Sequence, residues 1–367
     1  MFDNERILMK VSFPFSIIFI VSLLLFSNSG YSQCNHAYVT NGIDNNVSVI
    51  DLATNTVVAT IPAGMLPFGV SVSANGNFVY VANTLSDNVS VINTATNAVV
   101  ATIPVGIFPR GIVASPVGDF VYVANGTSNN VSVINIATNA VVATIPVGNF
   151  PIGISISPSG DFVYVTNQLG NNVSVINTAT NTVIATVPMG GEVNGISVSP
   201  SGDFVYVGMP LSDNVSVINT ATNTVVATVP VGNFPIGVSV SPSGDFVYVA
   251  NNLSNDVSVI NTATNTVVAT VPIGVRPFGI SASPNGDLVY VNNNMSNNVS
   301  VINTATNTVV TTVAIGVGPL SLGNFICVSP PIAAIPTLSE WSLIVLGLCL
   351  CVIGVLSMIQ TKRLKSF

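Results

Sequence analysis

The chain has 367 residues with seven Lys or Arg, 14 Asp or Glu and one His, and only 6% of its residues are charged. Between Gln33 and Pro336 the imbalance is sharper, with eleven acidic residues against two basic ones. Because nucleic-acid binding depends on Lys and Arg that neutralise phosphates, this composition excludes nucleic acid as a partner.

The first 32 residues have the pattern of a secretory signal peptide. An apolar stretch, 11–26, follows Arg6 and Lys10, and small residues precede an expected cleavage point after Ser32. Met9 is an alternative start, because acidic residues before it are unusual in a leader. We therefore expect an exported protein.

A repeat dominates the next 290 or so residues, since seven tyrosines recur at a fixed interval of 42. They are Tyr38, Tyr80, Tyr122, Tyr164, Tyr206, Tyr248 and Tyr290. Each repeat contains four short runs rich in Val, Ile, Tyr and Phe, separated by Gly, Pro, Asn, Ser and Thr, which predicts four strands joined by tight turns. The second run is apolar on both faces, so its sheet must be covered on both sides. The pattern predicts an all-β protein whose four-stranded antiparallel sheets pack as propeller blades.

The two ends of the repeat array favour a closed ring over a stacked β-helix. The first copy begins at its second strand, 37–41, whereas the last copy is followed by an extra run, PLSLGNF, at 319–325. We expect this C-terminal run to supply the missing first strand, which gives seven complete blades over residues 33–327. Ring closure removes the sheet edges that promote aggregation.

Two cysteines fall near the same predicted junction. Cys34 lies one repeat before Gly76 and Cys327 lies six repeats after Asn75, which places both in the turn between first and second strands. In blade one that turn is cut, and export exposes the protein to an oxidising compartment, so we expect a disulfide between Cys34 and Cys327. Two unrelated free thiols, or lipidation of Cys34, are the alternatives.

The C-terminal region begins with a short Pro-rich linker, 328–334, and ends in a basic tail. The apolar run 342–359 is long enough for a transmembrane helix, and Lys362, Arg363 and Lys365 indicate the cytoplasmic side, which places the propeller outside. Before the run stand Ile335, Pro336, Thr337, Leu338 and, after two further residues, Trp341. This arrangement resembles the IPTL-type C-terminal sorting signal of bacteria, which implies processing by an exosortase. A plain membrane anchor would explain the helix and the tail equally well.

The repeats themselves resemble the YVTN β-propeller proteins. The motif YVTN stands at Tyr38–Asn41 and Tyr164–Asn167, and YVAN stands at three further tyrosines. The resemblance implies a seven-bladed propeller on an exported protein that is often displayed at a cell surface. It implies no single shared activity, since some similar propellers are lactonases and others bind nucleic acid.

Groups suited to catalysis are scarce in the propeller, which has one histidine, His36, one glutamate and no lysine. Repeated aspartates such as Asp245 stand in SPxGD segments, where turn chemistry explains them. We therefore expect no enzymatic activity, no cofactor and no metal, and favour a cell-surface binding, adhesion or structural module whose partner is a protein or a glycan. The alternative is a hydrolase of the lactonase kind, which predicts carboxylates or metal in the central channel instead of Ser, Val and Ile.

Differences among the copies indicate a candidate site. The turns SPxGD and TATN vary little, whereas the loop between strands two and three and the loop entering strand one vary most and should emerge on one face. Diversified loops on a rigid scaffold are typical binding sites, although neutral drift would give the same pattern. Blade five departs from the repeat in both loops, and the entering loops carry two cations. We expect partner contact at Glu192, Asn194, Met209 and Pro210, with Arg110 and Arg276 at the margins and Phe108, Phe150 and Phe234 in the core.

Overall fold

The computed structural model describes residues 35–328, in which seven four-stranded antiparallel sheets follow one another along the chain. This confirms the predicted seven-bladed propeller. The predicted signal peptide, Cys34, the sorting motif and the apolar run 342–359 lie outside the described residues. Within residues 35–328, no helix is long and apolar enough to cross a membrane.

The strands follow the 42-residue period, with one short 3₁₀ turn, Pro210–Ser212, after the strand that ends at Met209. In chain order they are β1 (Asn35–Asn41), β2 (Asn46–Asp51), β3 (Thr56–Pro62), β4 (Pro67–Val72), β5 (Phe78–Asn83), β6 (Asn88–Asn93), β7 (Ala98–Pro104), β8 (Pro109–Ala114), β9 (Phe120–Asn125), β10 (Asn130–Asn135), β11 (Ala140–Pro146), β12 (Pro151–Ile156), β13 (Phe162–Asn167), β14 (Asn172–Asn177), β15 (Thr182–Pro188), β16 (Ile196–Val198), β17 (Phe204–Met209), β18 (Asn214–Asn219), β19 (Thr224–Pro230), β20 (Pro235–Val240), β21 (Phe246–Asn251), β22 (Asp256–Asn261), β23 (Thr266–Pro272), β24 (Pro277–Ala282), β25 (Leu288–Asn293), β26 (Asn298–Asn303), β27 (Thr308–Ala314) and β28 (Ile326–Val328).

Burial explains why each run forms a strand. The second and third strands of a blade, such as β5 and β6, have five and four consecutive buried residues, so both faces of the sheet are covered by neighbouring blades. The fourth strand, such as β7, alternates toward solvent and buries one residue, Ile103. Val and Ile suit this pleated, doubly covered surface because their branched side chains pack against cross-strand neighbours.

The C-terminal strand closes the ring, because β28 pairs with β1 in the sheet order β28-β1-β2-β3. The closing register differs from the prediction. At one end of the closing segment the register is that of the other blades, because Pro319 pairs with Asn41 in blade one as Pro67 pairs with Asn83 in blade two. Further along, the Tyr38 N–H donates to the Phe325 carbonyl, which lies two residues beyond the acceptor that the repeat predicts. The closing segment therefore carries a two-residue insertion, and the regular strand is Ile326–Val328 and not 319–325.

Close backbone approach holds the inner strands of adjacent blades together. A Cβ added at Gly111 would stand 2.4 Å from the Ile152 carbonyl oxygen of the next blade, so a side chain there would force the blades apart. Ser71 Oγ accepts a hydrogen bond from the Ala114 N–H, also in the next blade, at 3.0 Å. These contacts fix the first strand of each blade around a central channel.

Candidate functional site

The two variable loop sets lie on one face, as predicted, and they are bonded to each other. The Thr84 N–H donates to the Leu66 carbonyl at 3.0 Å and the Leu85 N–H to the Met65 carbonyl at 3.1 Å. We call this side, built by the loops between second and third strands and the loops entering first strands, the loop face. The side built by the SPxGD and TATN turns is the turn face.

The asparagine of the YVTN motif holds these loops in place. Asn83 is fully buried, and its Nδ2 donates to Asn88 Oδ1 at 2.8 Å and to Ser90 Oγ at 2.9 Å. Its Oδ1 accepts from the Gly64 N–H at 3.1 Å, and a Cβ at Gly64 would stand 2.6 Å from Asn83 Cγ. In the other five copies the asparagine Oδ1 accepts no such bond, but the asparagine side chain packs equally closely against the loop glycine, which leaves no room for a larger residue there.

The tips of the entering loops adopt left-handed backbone conformations. Phe108 has a φ of 62° and Phe150 one of 53°, values that bulky residues rarely adopt. The cost is offset because the Phe108 N–H donates to Asp87 Oδ1 at 2.8 Å and the Phe150 N–H to Asn129 Oδ1 at 2.8 Å. The phenylalanines are half-buried on the loop face, so the prediction that Phe108, Phe150 and Phe234 belong to the core is wrong.

Large apolar side chains are exposed on the loop face. Ten of them are between 39% and 70% exposed: Ile43, Met65, Leu85, Ile107, Leu169, Leu211, Leu253, Val275, Met295 and Val317. Several stand in pairs on hydrogen-bonded loops, as the Ile43 N–H donates to the Val317 carbonyl and the Met295 N–H to the Val275 carbonyl, each at 3.2 Å. We call these ten residues the apolar loop residues. They were overlooked in the sequence because isolated Leu or Met residues in loops carry no periodic signal.

One residue from each blade, in the first strand or in the segment that leads to it, surrounds the channel where it meets the loop face. These seven residues, spaced by 42, are Phe68, Arg110, Ile152, Asn194, Ile236, Phe278 and Leu320, which we call the mouth ring. Phe68 packs with Ile152 and Leu322, and its ring centroid lies 5.3 Å from that of Phe278. The apolar members therefore narrow the channel at this end.

A cavity of about 380 Å³ occupies the channel beside the mouth ring. Its walls are built from Gly, Ser, Val, Ile, Ala, Pro, Leu and Asn. Serines such as Ser197 and Ser239 line it, with their Oγ atoms accepting backbone N–H bonds from the next blade at 3.3 and 3.1 Å. Within residues 35–328, no cluster of three His, Cys, Asp or Glu side chains is suited to hold a metal ion.

The two predicted cations occupy different environments. Arg110 belongs to the mouth ring, where its Cζ lies 4.2 Å from the centroid of Phe68 and 4.4 Å from that of Phe108. Arg276 takes the position that Phe108 holds in its own loop, with a φ of 57°, and its Nη1 donates to Asn252 Oδ1 at 3.0 Å. Burial lowers the pKa of Arg110 to about 10.

Blade five places its predicted site residues mostly in the interior. Met209 is buried in a cluster with Met189 and Val193, and Pro210 and Asn194 are buried as well. Of the four, Glu192 is half-exposed, and it accepts a hydrogen bond from Gln168 Nε2 at 2.7 Å. Met209 stands where other blades have the asparagine that holds the entering loop, which explains why both loops depart from the repeat at one place. Direct partner contact by Met209 and Pro210 is therefore inconsistent with their burial.

Cys327 lies in a different place from the predicted turn. Cys327 lies in β28 opposite His36, fully buried, and not in the turn between first and second strands. The two-residue insertion in the closing segment moves it back into the strand. Cys327 is disulfide-bonded, and Cys34 lies just outside the described residues, so the identity of its partner stays a prediction.

Comparisons with known proteins support the fold and revise the expected function. A family model described as "Lactonase, 7-bladed beta-propeller" matches residues 24–142, 143–236, 180–272 and 223–315, and an "IPTL-CTERM motif" model matches 333–363. No curated protein matches the chain.

Solved structures similar to the chain include one enzyme. A hydrazine synthase chain from Kuenenia stuttgartiensis has a TM-score of 0.70 and 25% identity, covering 74% of this chain and 93% of that one. A functionally unknown protein from Desulfotomaculum acetoxidans DSM 771 has a TM-score of 0.69 and 19% identity, covering 79% and 100%. The lactonase match and the likeness to hydrazine synthase overturn the expectation that the protein is not an enzyme. That expectation relied on the scarcity of titratable residues in the propeller, and this scarcity does not prevent the chain from matching the lactonase family.

Proposed function

The chain belongs to the lactonase family of seven-bladed β-propellers, and we propose that it is an exported, surface-associated member that binds a partner protein through its loop face. The match to the IPTL-CTERM motif supports export, with a signal peptide over 1–32, the propeller over 33–327 and exosortase processing of the segment 335–367. The observation that carries the proposal is the exposure of the ten apolar loop residues on one side of the ring.

The contrast between the two faces supports this assignment. On the turn face the exposed large apolar residue is Val117, whereas the repeated turns there present aspartates and asparagines. Soluble proteins rarely expose many large apolar side chains on one face unless that face contacts a partner. The loop face is therefore the side suited to association.

The positions of the chain ends leave the loop face free. Asn35 and Val328 are paired at the turn-face end of blade one, so the described part of the chain begins and ends on that side. A protein held at the cell surface through its C-terminal region presents the opposite, loop face to its surroundings.

The charge of the loop face indicates the chemistry of the partner. Its loops and the adjoining strand ends carry Asp44, Asp87, Glu192, Asp213 and Asp256 against Arg110 and Arg276. Association of two copies through this face would oppose like charges, which disfavours self-association. The partner that fits is a protein with an apolar patch bordered by Lys or Arg.

The proposal is tested by removing apolar loop residues without changing the scaffold. Leu85→Thr, Leu169→Thr and Leu211→Thr are combined, because Thr127 already stands at this position in blade three. Loss of three Leu side chains that become buried only when the partner binds should weaken binding of the purified chain to host cell envelopes about tenfold or more. Val58→Thr, Val100→Thr and Val226→Thr, which change comparably exposed residues of the outer strands, form the matched control. Unchanged envelope binding by the leucine variant would refute the proposal.

Lactone hydrolysis is the second candidate function, and family membership favours it. The channel cavity is the place for such a substrate, with Val113 in its wall. Hydrolysis of a simple δ-lactone is measured through the acid that it releases. The variant Val113→Phe fills the cavity without removing a hydrogen bond. A hydrolysis rate above the spontaneous rate, and lower in Val113→Phe than in the unaltered chain, supports hydrolysis in the cavity. Equal rates in the variant and the unaltered chain would mean that any activity resides elsewhere.

A further inference from the structure

Arg110 is a partly buried cation for which the described part of the chain supplies no anion. Its Nε is buried without a hydrogen-bond partner, and no ion pair or other interaction of its guanidinium exists among residues 35–328 beyond the contacts with Phe68 and Phe108. Buried charges in proteins are normally paired, because removing an ion from water is costly. The lowering of the Arg110 pKa by burial reflects the same cost.

The aromatic contacts orient the guanidinium but leave its hydrogen-bonding capacity unused. A cation over an aromatic ring is attracted to the π face, which the distances of 4.2 and 4.4 Å satisfy. The five N–H donors of arginine lie in the plane of the group and suit the two oxygens of a carboxylate. The contacts therefore position a donor fork for an anion.

The surroundings select the kind of anion. Phe68, Ile152, Ile236 and Phe278 make the mouth ring largely apolar, and it contains one cation. A second unpartnered polar atom in the same ring is the buried Oδ1 of Asn194. One positive charge in apolar surroundings favours a monoanion with an apolar body over a multiply charged ion such as phosphate.

We propose that Arg110 binds the carboxylate of an organic monoanion at the loop-face end of the channel, with the apolar body of the ligand against the half-buried Phe278. This proposal adds a small-molecule ligand to the loop face, and binding of that ligand does not depend on the apolar loop residues. Failure of the envelope-binding experiment and failure of this one are therefore distinguishable.

The experiment uses the purified full chain with phenylacetate as the probe and phenylacetamide as its uncharged counterpart. Arg110→Ile is the principal variant, because Ile152 and Ile236 hold the same position in other blades. Arg276→Phe is the matched control, since Phe108, Phe150 and Phe234 occupy that position elsewhere. We expect phenylacetate to bind about tenfold or more tightly than the amide, and this preference to vanish in Arg110→Ile and persist in Arg276→Phe.

Thermal unfolding separates a ligand-binding role from a structural one. If Arg110 serves the ligand, Arg110→Ile removes an unpaired charge and should raise the Tm of the free protein while abolishing phenylacetate binding. A lower Tm in Arg110→Ile would identify Arg110 as a structural residue and overturn the proposal. Absence of phenylacetate binding to the unaltered chain at millimolar concentration, or equal displacement by inorganic phosphate, would overturn it as well.

Discussion

The repeated tyrosines are buried, and their hydroxyl groups are placed differently from blade to blade. Tyr38 Oη donates to Asn97 Oδ1 of the next blade at 3.3 Å, and Tyr290 Oη approaches Asn55 Oδ1 across the ring closure at 3.5 Å. Tyr80 Oη is buried without a partner. Burial raises the pKa of Tyr38, Tyr80 and Tyr290 to about 12, because the charged phenolate is poorly solvated inside the sheet stack.

These pKa values predict a loss of stability at alkaline pH. A tyrosine with a pKa near 10 in the unfolded chain and about 12 in the folded one stabilises the fold fully below pH 10, and this contribution disappears as pH rises through 12. Each two-unit shift corresponds to about 2.7 kcal/mol. Urea unfolding at pH 9, 10.5 and 11.5 should show the free energy of unfolding falling only above pH 10.

Tyr80→Phe provides the internal control for the alkaline effect. Because the Tyr80 hydroxyl has no partner, its removal should leave stability at pH 7 unchanged or raised and should reduce the alkaline loss. Tyr38→Phe, which removes a hydrogen bond to Asn97, should lower stability at pH 7 by about 1 kcal/mol. An equal alkaline loss in Tyr80→Phe and the unaltered chain would contradict the assignment.

At the scale of strands and loops, blade five contains a coupled replacement. In six blades an asparagine at the end of the second strand packs closely against the glycine of the entering loop, whereas in blade five Met209 packs with Met189 and Val193. The shortened strand β16 and the 3₁₀ turn after β17 accompany this change. The changes in the two loops therefore form one packing arrangement. Partner contact centred on Glu192 remains a prediction, which depends on its half-exposed carboxylate.

A double-mutant cycle tests this coupling. Met209→Asn alone buries an amide among apolar side chains and should cost about 2 kcal/mol in the free energy of unfolding. Rewriting residues 189–194 to the VGNFPI of neighbouring copies as well should restore that stability, because the asparagine then meets its usual loop. Urea midpoints of the two single variants and of the combined variant decide the question. If the stability losses of the single variants simply add up in the combined variant, the two loops are independent.

Sequence periodicity predicted these elements well where each repeat makes the same contacts, and poorly where the repeat is broken. The strands around Tyr80 follow from alternation and turn residues, which recur in every copy. The two-residue insertion before Cys327 and the burial of Met209 depend on contacts that occur once. The Arg110 contact with Phe68 joins residues 42 positions apart in adjacent blades, so no local pattern could reveal it.

For the whole molecule, stability depends on how one strand from the far end of the chain is held in blade one. β28 pairs with β1 over three residues, and Thr40 Oγ1 and Ser321 Oγ lie 3.1 Å apart beside it. Blade one therefore has a shorter inner strand than most other blades. A covalent link at this junction would compensate for the short ladder.

We predict that this link joins Cys327 to Cys34. Cys327 lies opposite His36 in β28, and Cys34 precedes His36 by two residues in the sequence. The closed loop of roughly 290 residues should stabilise the ring by about 3–5 kcal/mol. Cys34→Ser, Cys327→Ser and the double variant should therefore lower the Tm equally, and reductant should lower only the Tm of the unaltered chain. Peptide mass spectrometry without reduction identifies the partner directly, and a bond from Cys327 to Cys349 or Cys351 would refute the pairing.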